Sequence, residues 1–183
     1  MSNGHWIILT LAMWVFPGMP RPVFSQGVSK SDCIGEVAML SKEQENSKTI
    51  LAIFRSIEER NNAQFQSYIQ LEFEIHWPLS LPYGGAFRGL EPQPHGWGAT
   101  WQPLQPTEAE RKMDAKIVAA QGDDVVVLWH QRGRTPKGDS LDEEVLGLYH
   151  FREGKLARAQ MFYFDTAAVA RFLAKMKEQS AVP

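Results

Sequence analysis

An α+β fold is what this sequence predicts: helices at both ends and an antiparallel sheet between them with one face covered. Three patterns carry the expectation. Apolar residues recur at helical spacing early and late in the chain, period-two alternation fills the stretches between, and short turn signals join successive strands. The 183 residues, 44% of them hydrophobic, suit one globular domain with a leader and a short tail.

Residues 1–40 stand apart from the rest. Ile7 to Phe16 is an almost unbroken apolar run, followed by Pro17, Pro20 and Pro22. Two readings stay open: an export-signal-like leader, or a translation start at Met39 with a disordered or untranslated segment before it, which would leave the protein cytoplasmic. No Lys or Arg precedes the run, and it falls well short of the ~20 residues a membrane span needs. The domain proper is read as 41–178, with 179–183 as tail.

Within it, 41–70 reads as helix. Ile50, Leu51, Phe54 and Ile57 form the apolar stripe, and Asn61-Asn62 interrupts it so that a second short helix runs from Ala63 to Ile69. Period two then sets in, with Phe73, Ile75 and Trp77 on one face and Glu72, Glu74 and His76 on the other. Pro78 and Pro82 close this strand, and the segment from Tyr83 to Gly89 returns the chain. Residues 90–106 form a long Pro-rich loop with Trp97 and Trp101, where lids, binding loops and interface anchors are found.

Thr107 to Glu110 matches a capping box, which predicts a short helix to Met113. Lys116 to Ala120, Val125 to Arg132, Glu144 to Arg152 and Leu156 to Phe164 are predicted strands. Their turns lie at Gly122-Asp123, in a polar loop with Gly133, Pro136 and Gly138, and at Glu153-Gly154. A closing helix starts at Ala167, with Val169, Phe172, Leu173 and Met176 as its stripe.

Composition excludes several functions. Nineteen basic and 21 acidic side chains give a net charge of −2 and no cationic face, so nucleic acid is not an expected partner. Cys33 is the single cysteine, so no intramolecular disulfide forms. The histidines show no metal-ligand spacing, no phosphate-cradling loop opens a helix and no nucleophile elbow is present, so neither metal nor cofactor is expected.

Three stretches resemble the nuclear-transport-factor-two-like superfamily, in particular its SnoaL-like, ketosteroid-isomerase-related branch. They are His76-Trp77-Pro78 with Tyr83 to Gly89; Gly122-Asp123 leading into Val125 to Val127; and Tyr149 to Leu156 with Phe162 to Thr166. The Trp- and Pro-rich insertion after Gly89 departs from the pattern. The resemblance implies a cone: a strongly curved, antiparallel or mixed sheet wrapped around the long first helix, closed by the C-terminal helix, with a hollow inside. Such proteins include cofactor-independent isomerases, cyclases, epoxide hydrolases and dehydratases of small apolar molecules, and also dimers and pure binding modules, so the fold leaves function open.

Asp165 is the leading catalytic candidate, because the resemblance places an acid or base at the end of the last strand and an apolar hollow raises a carboxyl pKa. It equally suits an N-cap of the closing helix. His76 beside Glu74 could assist as a positioned acid or base, or belong to a solvated face. His130 and His150 read as rim residues. A pocket wall is expected from Trp77, Tyr83, Phe87, Trp129, Gln131, Tyr149 and Tyr163, a pattern that ordinary core shares. The expected function is binding of a small apolar or polycyclic molecule, with acid–base catalysis at that site; the alternative is a non-catalytic ligand carrier or homodimerisation module.

Overall fold

A computed structural model describes residues 30–89 and 104–180, the side chains of 30–41 excepted. The apolar run Ile7 to Phe16, Trp97 and Trp101 lie outside the described residues. Helix α1 spans Lys30–Glu58 and so begins within the segment read as leader; α2 spans Asn62–Ser67. Strands follow as β1 (Ile69–Trp77) and β2 (Gly85–Arg88), then the one-turn α3 (Glu108–Arg111). The chain continues through β3 (Lys116–Gln121), β4 (Asp124–Arg134), β5 (Ser140–Arg152) and β6 (Lys155–Tyr163) to α4 (Thr166–Ser180).

The six strands form one curved, unclosed sheet in the order β2-β1-β6-β5-β4-β3. It is mixed, because β1 runs parallel to β6 while every other neighbouring pair is antiparallel. The β1–β2 hairpin leaves one edge of β1 free, and the meander β3–β6 docks its last strand there. Tight turns fix the meander's register. Between β5 and β6, Glu153 (φ 54°) and Gly154 (φ 72°) both adopt the left-handed conformation that a two-residue hairpin turn requires.

Helix α1 crosses the concave face. Ile50, Ile53 and Phe54 are buried against the sheet, whereas Leu51, placed in the stripe from the sequence, is 37% exposed. One residue is 100° of helical turn, so Leu51 rotates off the stripe that Ile53 shares with Ile50. The middle of α1 is pinned to the β3–β4 turn. There Asn46 Nδ2 donates to Gly122 O (3.2 Å), Glu43 accepts from Gly122 N (2.8 Å) and Lys42 pairs with Asp123 (2.7 Å).

Asn61 caps α2 through Gln64 N–H (3.1 Å), as the sequence predicts, although β1 already starts at Ile69. Helix α3 ends at Arg111, short of the predicted Met113. Its Thr107 hydroxyl bonds the Glu110 carboxylate instead of a backbone N–H, and Glu110 is tied down by Arg134 (2.9 Å).

Strands β4 and β5 are longer than predicted because Gly133, read as loop, lies inside β4. The reason is tertiary. A Cβ there would stand 2.7 Å from Cε1 of Phe172 and 3.1 Å from the Leu104 carbonyl oxygen, so the glycine makes room for the α4 ring. Phe172 and Val169 of α4 bury against Leu81, Leu104 and Leu141 in a second cluster beside the main core. Among the described residues no helix is long and apolar enough to cross a membrane.

Gly133→Ala is therefore expected to unfold at lower temperature, by about 1–3 kcal/mol of overpacking. Thermal denaturation followed by circular dichroism reads this out; a melting temperature equal to wild type would contradict the docking of Phe172 on β4.

Candidate functional site

The inner rows of the strands and the last turn of α1 line a half-open cavity of about 410 Å³. Period two decides which side chains reach it. Phe73, Ile75 and Trp77 come from β1, Trp129 from β4, Tyr149 from β5, and Leu156, Ala159 and Met161 from β6. Ile53, Phe54 and Ile57 of α1 and Phe65 of α2 form the opposite wall, and Met113 closes one side.

The aromatic rings interlock. Phe54 lies 5.9 Å from Trp129 and 5.8 Å from Tyr149 between ring centroids, the latter nearly edge-on at 76°. Tyr149 owes its orientation to Gly147 two residues earlier. A Cβ at Gly147 would stand 2.4 Å from the tyrosine ring, which therefore lies along the strand where a side chain would otherwise be. Its hydroxyl donates to the Met161 thioether (3.7 Å), a weak acceptor. Burial pushes the Tyr149 phenol far above the ordinary tyrosine value, so it is neutral.

Of the residues that the sequence offers for a pocket wall, Trp77, Trp129 and Tyr149 are among those that line this cavity. Tyr83, Tyr163 and Gln131 do not line the cavity; they form a polar row behind the two tryptophans. Tyr83 OH donates to Tyr163 OH (3.1 Å), and Tyr163 OH to Gln131 Oε1 (3.3 Å). Trp77 meets Tyr83 edge-on at 5.4 Å, and both tryptophans lie 6.3 Å from Tyr163. Gln131 is wholly buried, and its Nε2 has no hydrogen-bond partner among the described residues. Phe87, on β2, packs against the edge of the core.

The two acid–base candidates lie elsewhere. Asp165 caps α4, accepting the Ala168 N–H at 2.8 Å, and is half exposed with Arg171 3.7 Å away. The carboxyl it influences is Glu143, raised by partial burial and then by the Asp165 and Asp142 charges. His76 shares β1 with Trp77 but points to the opposite face, where Glu74 holds it at 3.2 Å and Arg88 completes the cluster at 2.6 Å from Glu74. The structure brings neither residue to the cavity, nor to one another: one caps α4, the other sits on the outer face of β1. His130 (Asp142, 2.6 Å) and His150 (Asp124, 2.8 Å) are likewise paired on the outer face.

Sequence reasoning missed the polar end of the cavity, made by Ser56, Arg60, Asn62 and Gln105. Arg60 terminates α1. Its N–H bonds Ile57 O (3.0 Å) and the next N–H, of Asn61, bonds Ser56 O (2.8 Å), which is the Schellman arrangement. The position demands a left-handed backbone, and Arg60 adopts φ 54° where glycine would be free of a cost of roughly 1–2 kcal/mol. Its guanidinium donates to the Gln105 carbonyl (3.1 Å). The only trace of this in the sequence is a charged residue standing just before Asn61-Asn62. Among the described residues no group of three or more His, Cys, Asp and Glu could hold a metal ion.

No protein-family model matches the chain, and no curated protein matches it in sequence. Solved structures do match in fold. A SnoaL-like polyketide cyclase, so named provisionally, from Jannaschia sp. CCS1 aligns at 20% identity and TM-score 0.53, over 78% of this chain and 96% of its own. An NTF2-like protein of unknown function from Burkholderia pseudomallei aligns at 16% and 0.52, over 70% and 96%. TerC, co-crystallised with polyporic acid, aligns at 19% and 0.53, over 71% and 98%. At these identities the likeness shows the fold, and the fold is NTF2-like.

The half-buried phenols Tyr83 and Tyr163 give the fold an alkaline limit. Burial raises Tyr83 to about 12, partly offset by its bond with Tyr163, and holds Tyr163 well above the ordinary tyrosine value. A raised pKa means that the stability held by the neutral phenol is complete below about 10 and is lost as pH climbs through the folded value. Melting temperature should fall above pH ~10, and Tyr83→Phe should make that decline shallower. Equal slopes for the two proteins would argue against a half-buried phenol row.

Proposed function

We propose, from an NTF2-like fold with a hollow beneath its first helix, that this protein binds one small, largely apolar, ring-bearing molecule there. The observation that carries the reading is the cavity itself: about 410 Å³ walled by Phe54, Phe73, Trp77, Trp129 and Tyr149. Small-molecule sites commonly span about 300–1,000 Å³ with apolar walls and few polar groups. The Tyr149 hydroxyl is the inner polar anchor, since a ligand oxygen is a better acceptor than the thioether it now meets. None of the described lining residues is Asp, Glu or His, which favours binding over proton transfer by a carboxylate–histidine pair. That TerC was crystallised with polyporic acid supports a small-molecule role for a hollow of this fold.

A neutral bicyclic probe, 2-naphthalenemethanol, is expected to raise the melting temperature, by about 2.7 kcal/mol of stabilisation at a hundredfold excess over Kd. Ala159 is 1% exposed and lines the cavity, so Ala159→Phe should fill it and abolish the shift while the fold persists. An unchanged shift in that variant would place the binding elsewhere and defeat the proposal.

A second reading, homodimerisation, rests on the outer sheet face. Leu148 (38% exposed) and Phe162 (49%) stand there with Val126, Leu128 and Leu146, rimmed by the Asp124–His150 and Arg132–Asp142 pairs. A patch carrying both charge signs can meet its own copy across a twofold axis. Light scattering should give twice the chain mass for wild type and a monomer for Phe162→Glu; a monomeric wild type rejects this reading.

A further inference from the structure

The cavity has two chemically different ends, and the polar one is built from groups that donate. Gln105 is 5% exposed and lines the cavity, yet its buried Nε2 has no hydrogen-bond partner among the described residues. A buried amide donor left unmade is costly, and native structures keep such a group where something else satisfies it. Arg60 lines the same end, and its guanidinium uses Nη2 on the Gln105 carbonyl, leaving further N–H groups of its fork free of any carboxylate among the described residues. Glu58, two residues before Arg60, accepts the Met113 N–H at 2.7 Å.

Arg60 also occupies its position against backbone preference. The left-handed residue that ends a helix is ordinarily glycine, and here the chain carries a long cationic side chain at φ 54°. Strain retained at the rim of a pocket points to a use for the side chain. The other polar members, Ser56 and Asn62, add no charge. Ser56 Oγ already donates to the Ile53 carbonyl (2.7 Å), and Asn62 lies beside Arg60 in the turn.

Building on the small-molecule reading above, we propose that the occupant is an organic acid. Its ring system lies between Phe54, Trp77, Trp129 and Tyr149, and its carboxylate is held at the rim by Arg60 and Gln105 Nε2. An arginine fork and an amide N–H match the two oxygens of a carboxylate, and a charge-assisted bond at the edge of a low-dielectric hollow is stronger than in water. The chain thereby selects an amphipathic acid over a neutral molecule of equal size.

The test compares two probes of one shape, 2-naphthoate and 2-naphthalenemethanol, by isothermal titration calorimetry at pH 7. Wild type is expected to bind the acid roughly tenfold more tightly than the alcohol, with the preference shrinking as salt is raised. Arg60→Gly keeps the turn, because glycine suits φ 54°, and should bring the acid's affinity down to that of the alcohol. Gln105→Leu should reduce the preference in part.

Equal affinity of the two probes for wild type overturns the acid proposal and leaves the cavity reading standing. So does an acid preference that survives Arg60→Gly in a variant that still folds. Binding of neither probe removes both.

Discussion

The packing of α1 into the curve of the sheet is the interaction on which everything else depends. Ile50, Ile53 and Phe54 press against the inner row of Val125, Val127 and Trp129, and an ion pair and two hydrogen bonds at the β3–β4 turn hold the middle of the helix in place. A straight helix cannot fill a bent sheet along its whole length. Where α1 stops, at Glu58, its cover stops too, and the hollow opens beneath the last turn and α2. The turn that ends the helix is thus also what sets the polar rim of the cavity.

Alternation along the strands then separates two kinds of chemistry. His76, His130 and His150 each directly adjoin a cavity aromatic in sequence: Trp77, Trp129 and Tyr149. Because neighbours in a strand point to opposite faces, every ring turned inward sends its histidine outward, where Glu74, Asp142 and Asp124 receive it. Charge is kept off the walls of the hollow. Among the described lining residues Arg60, at the rim, is the one charged side chain.

Two glycines show how backbone space shapes both clusters. Gly147 gives the Tyr149 ring its bed on β5, and Gly133 gives Phe172 its bed on β4. In each case the residue that fills the space is aromatic, and in each case a single methyl group would displace it. Neither glycine needs a special dihedral. Their role is to be small, and only a neighbour's position reveals it.

The sequence by itself determined the order of the elements apart from β2, which it reads only as a returning turn, together with the tight hairpin at Glu153-Gly154, the cap at Asn61 and the two alternating rows of each strand, because these follow from local periodicity and turn chemistry that each segment carries within a few residues. Only the tertiary structure decided which face of the sheet is concave, that β1 runs parallel to β6, and that Gly133 lies in a strand. It likewise settled that Asp165 caps a helix and that Arg60 and Gln105, distant in sequence, share one rim. Those facts depend on which segments meet across the fold, and no residue's own neighbours in the chain encode that meeting.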